Sequence, residues 1–326
     1  MTKIMLLLLV ALGPASLASE PFTITSSSTG TLLICGAAKN CAQALPAVRL
    51  SAEGLGARFE DYRVVIYENN STDETAVLLN EWAATNPKVK VRCEVIDEAS
   101  LQVMTTIRDR VSRPCRFEGI AWARNKMLEQ ARDPSFPPFD FIVMADLDIP
   151  DVWPIDRLLY HVYRDDWDVI TAFGIDQYGF YYDYYALRDE QLPLGPEFLG
   201  DRWFTVRRSS QYLPKRGQDL IPVRSAFGGL ALYRSSAMLS FSFSATVTPE
   251  MELEAQELLQ TRSEIVSLFE QFRGSNAPLT TLHSGWSPYP VTCEHESLFC
   301  SMRRSGIDRI FIDPQMILHR FGPPQR

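Results

Sequence analysis

Basic clusters, histidine and long apolar runs are all scarce in this chain, and each scarcity narrows the field. No dense Lys/Arg block occurs, and 32 basic against 40 acidic residues give a net charge of −8, which argues against nucleic acid as a partner. The four histidines, His161, His283, His295 and His319, are scattered and no Cys-x-x-Cys pair exists, which argues against a structural zinc site. No apolar run reaches the roughly 20 residues that span a bilayer. The longest, "IMLLLLVALG", follows Lys3 and gives way to small residues at Ser16 and Ala18, the pattern of a secretory signal covering residues 1–18. An uncleaved short anchor is the alternative, and membrane association is expected only in that case. Either way the bulk of the protein is expected outside the cytosol, in the secretory lumen (ER or Golgi), in a bacterial periplasm, or secreted. Six cysteines in an exported chain leave room for one to three disulfides, with the connectivity open. No internal repeat and no long Pro/Gly linker is present, and 46% hydrophobic with 22% charged residues is the balance of an ordinary globular protein.

After a polar lead-in, residues 19–30, apolar runs of strand type alternate with segments of helix type. The runs are "TLLICGA", "YRVVIYE", "VKVRCEVI", "FDFIVMADLD" and "WDVITAF"; helices are expected over 42–57, 73–85, 117–132 and 154–163. Alternation of this kind implies an α/β fold with a mainly parallel central sheet flanked by helices, and the continuous apolar character of "RVVIY" and "FIVMA" suits strands buried on both faces. From about Gly174 the chain turns aromatic, with Tyr178 to Tyr185 crowded together, then offers a strand at "SAFGGLALYR" and a last helix at "CEHESLFCSM". One long helix is expected over 249–273, with Leu258, Ile265, Leu268, Phe269 and Phe272 on a face that packs against the domain.

Ligands of open α/β sheets bind at the carboxyl ends of the strands. Asp146 and Asp148 stand where the strand from Phe141 runs out, and alternate positions of a strand point the same way, so both carboxylates can serve one site. Paired hard oxygens suit Mg²⁺ or Mn²⁺ held together with substrate phosphates. A second Asp-x-Asp, Asp166 and Asp168, precedes its strand instead and reads as a solvated loop; Asp151 falls beyond the Ile149-Pro150 turn and drops out. "YENNSTDET" ends another strand. Ser71 with Glu74 reads as a capping box and Asp73 as a dipole partner, which leaves Glu68 and Asn69 to read a nucleobase or ribose. Asn70-Ser71-Thr72 also matches a glycan acceptor, for which a ligand loop is a poor place. Gly228 and Gly229 permit close approach of either a sugar or another stretch of backbone. Phe227 and the tyrosines are sugar-stacking candidates or plain core. Glu294, opening the last helix, is a candidate general base or simply an acid helped by the helix dipole.

In order along residues 30–320, "ICGAAKN", "YENNSTDET", "ARNKML" and "DLD" resemble the GT-A glycosyltransferases, whose family 2 members have a similar strand-end acid and "STD" turn. Within that fold, "RNKMLE", "SAFGGLALYR", "CEHESLFCSM" and "IFIDPQMILH" are most similar to the fungal capsule-associated α-1,3-mannosyltransferase family. The resemblance implies a single GT-A domain over 31–326, a Rossmann-like nucleotide-diphospho-sugar fold with a nucleotide-binding half (31–173) and an acceptor-binding half (174–326). It implies a nucleoside diphosphate sugar donor, GDP-mannose ahead of UDP-sugars, and a glycan or glycosylated acceptor. Glu68, Asn69 and Asp146 are then placed at base or ribose, with Arg124, Asn125 and Lys39 beside the diphosphate. Asp148, with Asp146 and the terminal His319, is expected to bind Mn²⁺ or Mg²⁺, whose charge offsets that of the departing diphosphate. If transfer retains configuration, Glu294 orients donor or acceptor instead of taking a proton. Two rival readings share these residues: a sugar nucleotidylyltransferase, for which "ICGAAKN" is short of glycine, and a lumenal carbohydrate-binding or scaffolding protein on a degenerate transferase fold.

Overall fold

The computed structural model describes residues 29–97, 116–200, 220–282 and 291–322. The expected signal segment, most of the lead-in, Cys115 and His283 lie outside the described residues. In chain order the elements are β1 (Thr31–Ala38), α1 (Leu45–Gly56), β2 (Asp61–Asn69), α2 (Thr75–Thr85), β3 (Val89–Glu94), α3 (Arg116–Ala131), β4 (Phe141–Asp146), α4 (Ile155–Val162), β5 (Val169–Ile175), α5 (Pro196–Leu199), β6 (Ile221–Pro222), β7 (Leu230–Arg234), α6 (Ser235–Met238), α7 (Pro249–Thr261), α8 (Ser263–Arg273), α9 (Glu294–Arg304) and β8 (Ile310–His319).

The strands form one sheet in the order β3-β2-β1-β4-β7-β5-β8-β6. β1 is parallel to β2 and β4, β2 to β3, and β5 to β8, whereas β7 runs antiparallel between β4 and β5 and β6 antiparallel on the outer edge. The mainly parallel sheet is therefore as expected, and both of its faces are covered. Alternate residues of β1 divide between two cores: Leu33 and Cys35 join Met127 and Leu128 of α3 and Phe299 of α9, while Leu32 and Ile34 join Val48 of α1, Trp82 of α2 and Leu158 of α4. That division is why the strands read as unbroken apolar runs.

Two expectations need correction. The segment 249–273 is two helices, because Arg262 is extended (φ −128°, ψ 99°). Its guanidinium is drawn to Glu190 and Glu264, which holds the break. The apolar face is real: Leu258, Ile265 and Phe269 close over Leu194, Phe198 and Cys300. The disulfide expectation is not met either, since Cys35, Cys41, Cys93, Cys293 and Cys300, the five described cysteines, are all free. Burial pushes the thiols of Cys35 and Cys300 above their ordinary range, which makes them inert core residues. No helix among the described residues is long and apolar enough to cross a membrane.

Candidate active site at the carboxyl edge of the sheet

The strand registers bring the predicted residues to one edge. Ala38 of β1 lies opposite Glu68 of β2, and Ala37 opposite Asp146 of β4. His319 ends β8 opposite Ile175 of β5. Strand β7 begins here from the other direction, and the Asp146 N–H donates to the Gly229 carbonyl at 2.9 Å. Asp166 and Asp168 sit at the opposite edge, tied to Arg164 and Arg309, as expected for a solvated loop.

The loops after β1 and β2 are stitched into a single ledge. Asn40 and Asn70 adopt left-handed backbone (φ 50° and 55°), which asparagine tolerates. The Asn40 side chain accepts from the Thr72 N–H at 2.7 Å, and its own N–H donates to the Ser71 hydroxyl at 3.0 Å. Buried Glu68 accepts from the Ser71 N–H at 2.8 Å. The capping box does not form: α2 starts at Thr75, and Asp73 caps it by accepting from the Thr75 N–H at 3.0 Å. The Asn70 amide is consumed by the backbone of Ile96, which closes it to a glycan. The Asn69 amide donates to Asn70 Oδ1 at 3.2 Å, and Lys39 follows β1 exposed.

Behind the edge lies an arginine between two acids. Arg124 of α3 is buried, its Nη2 donating to Asp146 at 2.9 Å and its Nε to Glu294 at 3.3 Å. Its guanidinium rests on the rings of Phe227 (4.8 Å) and Phe243 (5.6 Å). Burial pushes the Asp146 carboxyl up to about 6, opposed by Arg124 and reinforced by Asp148; the side chain keeps 30% exposure, so water moderates the rise. Asp148 is more open, at 43%, and pairs with Arg320 at 2.7 Å. His319 is fixed by a residue that the sequence reading discarded. Asp151 Oδ2 accepts the His319 backbone N–H at 2.7 Å and lies 2.8 Å from Nδ1, so the chain's turn at Pro150 brings the carboxylate back to the site.

The structure gives four predicted residues other duties. Asn125 is a clamp: its amide donates to the Phe243 carbonyl and accepts the Phe243 N–H, both at 2.8 Å. Phe227 is 1% exposed, stacked on His295 at 3.9 Å beneath Arg124, so no sugar reaches its face. His295 is held neutral, well below its ordinary pKa, chiefly by burial. At Gly228 (φ +66°) an added Cβ meets the Ala172 carbonyl oxygen at 2.2 Å, and at Gly229 (φ +88°) the Ile149 side chain at 2.3 Å. The glycines thus admit protein, not sugar. Of the tyrosines, Tyr181 is core and Tyr178 is 73% exposed. Gly228→Ala is expected to cost more than about 2 kcal/mol in chemical denaturation, because the opposing group is backbone and the φ is strained for any side chain.

Sequence reasoning missed Asp183 and Arg320. Asp183 Oδ2 accepts the Gly228 N–H at 3.1 Å, and burial, with Asp146 and Glu294 adding, pushes its carboxyl up to about 7. The Tyr182 hydroxyl is buried and takes no hydrogen bond from the described residues, and the Arg320 guanidinium lies 5.7 Å from its ring. The only signal for Asp183 was an acid set inside an aromatic run.

A family model described as "Cryptococcal mannosyltransferase 1" matches residues 42–264, about two thirds of the chain. No curated protein sequence matches at comparable stringency. Among solved structures, the chain is similar to TarS 1–349 of S. aureus in complex with UDP-GlcNAc (11% identity, 91% of this chain and 59% of that one, TM-score 0.40). It is also similar to the mannosyltransferase PcManGT of Pyrobaculum calidifontis in complex with GDP-Man and Mn²⁺ (14%, 93% and 61%, TM-score 0.39). A third is the glucosyl-3-phosphoglycerate synthase of M. tuberculosis (11%, 91% and 73%, TM-score 0.37). The chain spans 59% and 61% of the length of the first two.

Proposed function

The chain belongs to the cryptococcal mannosyltransferase family, a glycosyltransferase of the nucleotide-sugar type on a GT-A fold, and from that premise we propose that it moves mannose from GDP-mannose to a glycan or glycosylated acceptor with the help of Mn²⁺ or Mg²⁺. The observation that carries this reading is the placement of Asp146 at the end of β4, with Asp148 just beyond it, in register with the end of β1, across which buried Glu68 ends β2. Family membership supports the transferase reading over its two rivals. We further propose that it works in a secretory lumen or periplasm.

The donor set suits a hard divalent ion: two partly open carboxylates, and an imidazole whose Nδ1 is engaged by Asp151, which leaves Nε2 to ligate. Among the described residues no three His, Cys, Asp or Glu side chains converge as a ready-made cage. Substrate phosphates would therefore have to complete the shell. Asp146, Asp148 and His319 would hold the ion, which when bound stabilises the charge growing on the diphosphate. Arg320, paired with Asp148, would offer the diphosphate a forked donor, joined by exposed Lys39 from the end of β1. Arg124 stands behind Asp146 and orients Glu294. Glu294 takes the acceptor proton if transfer inverts configuration, and orients substrate if it retains. Glu68 and the Asn69 amide, at the end of β2, would meet base or ribose.

Nucleotide release from GDP-mannose, UDP-glucose, UDP-galactose and UDP-GlcNAc, each with Mn²⁺ and with chelator, tests the reading. GDP release from GDP-mannose that disappears with chelator is expected. Equal release with chelator would remove the ion from the mechanism, and faster release from a UDP-sugar would reassign the donor.

A further inference from the structure

Exposed aromatic rings are rare in this molecule, and they are not scattered. Of the aromatic side chains among the described residues, only Tyr178, 73% exposed, and Phe321, 68% exposed, stand mostly in solvent. Both follow a pair of neighbouring strand ends. Ile175 closes β5 opposite His319, which closes β8, and the Arg320 N–H extends that ladder to the Ile175 carbonyl at 2.9 Å. Tyr178 comes three residues after Ile175, and Phe321 two after His319. A single apolar side chain on a surface needs no explanation; two rings on adjoining turns beside a proposed active site do. Each turn is fixed. Asp176 Oδ1 accepts the N–H groups of Tyr178 (2.9 Å) and Phe180 (3.0 Å), and the Gly179 N–H closes on the Asp176 carbonyl at 3.0 Å. After β8 the Gly322 N–H returns to the His319 carbonyl at 3.0 Å, while Asp151 ties His319 to the loop leaving β4. The space beside Tyr178 is open, since a Cβ at Gly179 would meet no atom within 4 Å.

Position and chemistry select the occupant. In sheet order β8 stands four strands from β1, roughly 19 Å at the usual strand spacing. A nucleoside on the ledge of β1 and β2, with its diphosphate at Asp148, therefore leaves this corner to the second substrate. A lipid surface is a poor match, because Asp148 is 43% exposed close by and the chain carries a net charge of −8. A pyranose matches better: one face of C–H groups covers an aromatic ring while its hydroxyls stay in water at the ring's edge. Resting on the glycosyltransferase reading above, we infer that Tyr178 and Phe321 form an acceptor platform, on which a hexose unit of the glycan acceptor lies beside His319 and Asp148. Rings mounted on turns that are already ordered lose little freedom when the sugar settles on them.

The probe is nucleotide release from the preferred sugar donor with Mn²⁺, measured above release into water, with mannose, glucose and galactose and their di- and trisaccharides as acceptors. At least one oligosaccharide is expected to stimulate the wild type. Tyr178→Ala and Phe321→Ala should each raise its KM at least about tenfold and change kcat less than about threefold, because the platform captures the acceptor and takes no part in the chemistry. Phe321→Leu keeps most of the apolar area without the flat face and should behave like Phe321→Ala, whereas Phe321→Trp should restore the wild-type KM. Leu50→Ala, which removes a side chain 65% exposed on α1, is the control and should change nothing. An unchanged KM in both alanine variants, or a wild-type KM in Phe321→Leu, overturns the assignment. So does the failure of every saccharide to stimulate a wild type that still releases nucleotide. Alanine variants that keep the acceptor KM but no longer cosediment with phosphatidylserine vesicles would make the patch a membrane contact, which also overturns it. If the wild type releases no nucleotide from any sugar donor, the glycosyltransferase reading fails first and takes this inference with it.

Discussion

Asp148→Ala is expected to lower Mn²⁺-dependent GDP release from GDP-mannose by about 1000-fold or more while leaving the melting temperature nearly unchanged. The two halves of that result have separate causes. The Asp148 side chain is 43% exposed and its ion pair to Arg320 is open to water, so removing it costs at most about 1 kcal/mol. The carboxylate's proposed work is to hold a cation against the diphosphate, a contribution of several kcal/mol, and each 1.36 kcal/mol is about tenfold in rate. Asp166→Ala is the matched control. It deletes an acid of the same triplet type, exposed and paired with Arg164, but at the amino edge of the sheet, and turnover should not change. Retention of more than about a tenth of the activity in Asp148→Ala would show that the ion is not held there, since the loss of a principal ligand is not compensated by His319 and phosphate alone.

The contrast between these two triplets shows how far the sequence carries. Strand direction is written in local pattern, because apolar runs of β type end in polar loops and successive runs separated by helices must lie parallel. That was enough to place Asp146, Asp148 and Glu68 on one edge and Asp166 and Asp168 on the other. What the pattern does not encode is the path of a side chain through tertiary space. Asp151 returns to His319 after the turn at Pro150, and Asp183 reaches Gly228 across 45 residues. Neither pairing has a spacing rule. Ambiguity of the opposite sort affected Gly228 and Gly229: a glycine pair announces close approach, but only coordinates tell that the neighbour is the Ala172 carbonyl. Phe227 and Asn125 failed as ligand residues for the same reason, each being used up by His295 or by the Phe243 backbone. The broken helix at Arg262 depended on distant Glu190, which periodicity within 249–273 does not see.

Arg124 is where stability and function meet, and Arg124→Met is expected to damage both. The guanidinium is 5% exposed and serves Asp146 and Glu294 together, Glu294 itself being only 7% exposed. Methionine keeps much of the volume against Phe227 and Phe243 but leaves Glu294 as an uncompensated buried charge, a defect of about 3–5 kcal/mol. The pH dependence follows from the proton count. A carboxyl whose folded pKa lies above its unfolded value of about 4 binds more protons folded than unfolded, so its contribution to stability falls as pH rises between those values. Asp146 stands at about 6 even with Arg124 opposing the rise, and removing the arginine raises it further. The variant should therefore lose least near pH 5 and most near pH 8, measured as the urea midpoint at each pH. The second substitution Glu294→Gln removes the buried charge and should recover most of the midpoint at pH 8. It should not recover GDP release, because the double variant still lacks both the residue that orients Asp146 and the acid proposed to meet the substrate. Recovery of turnover in the double variant would mean that Arg124 and Glu294 form a structural pair that the reaction does not use.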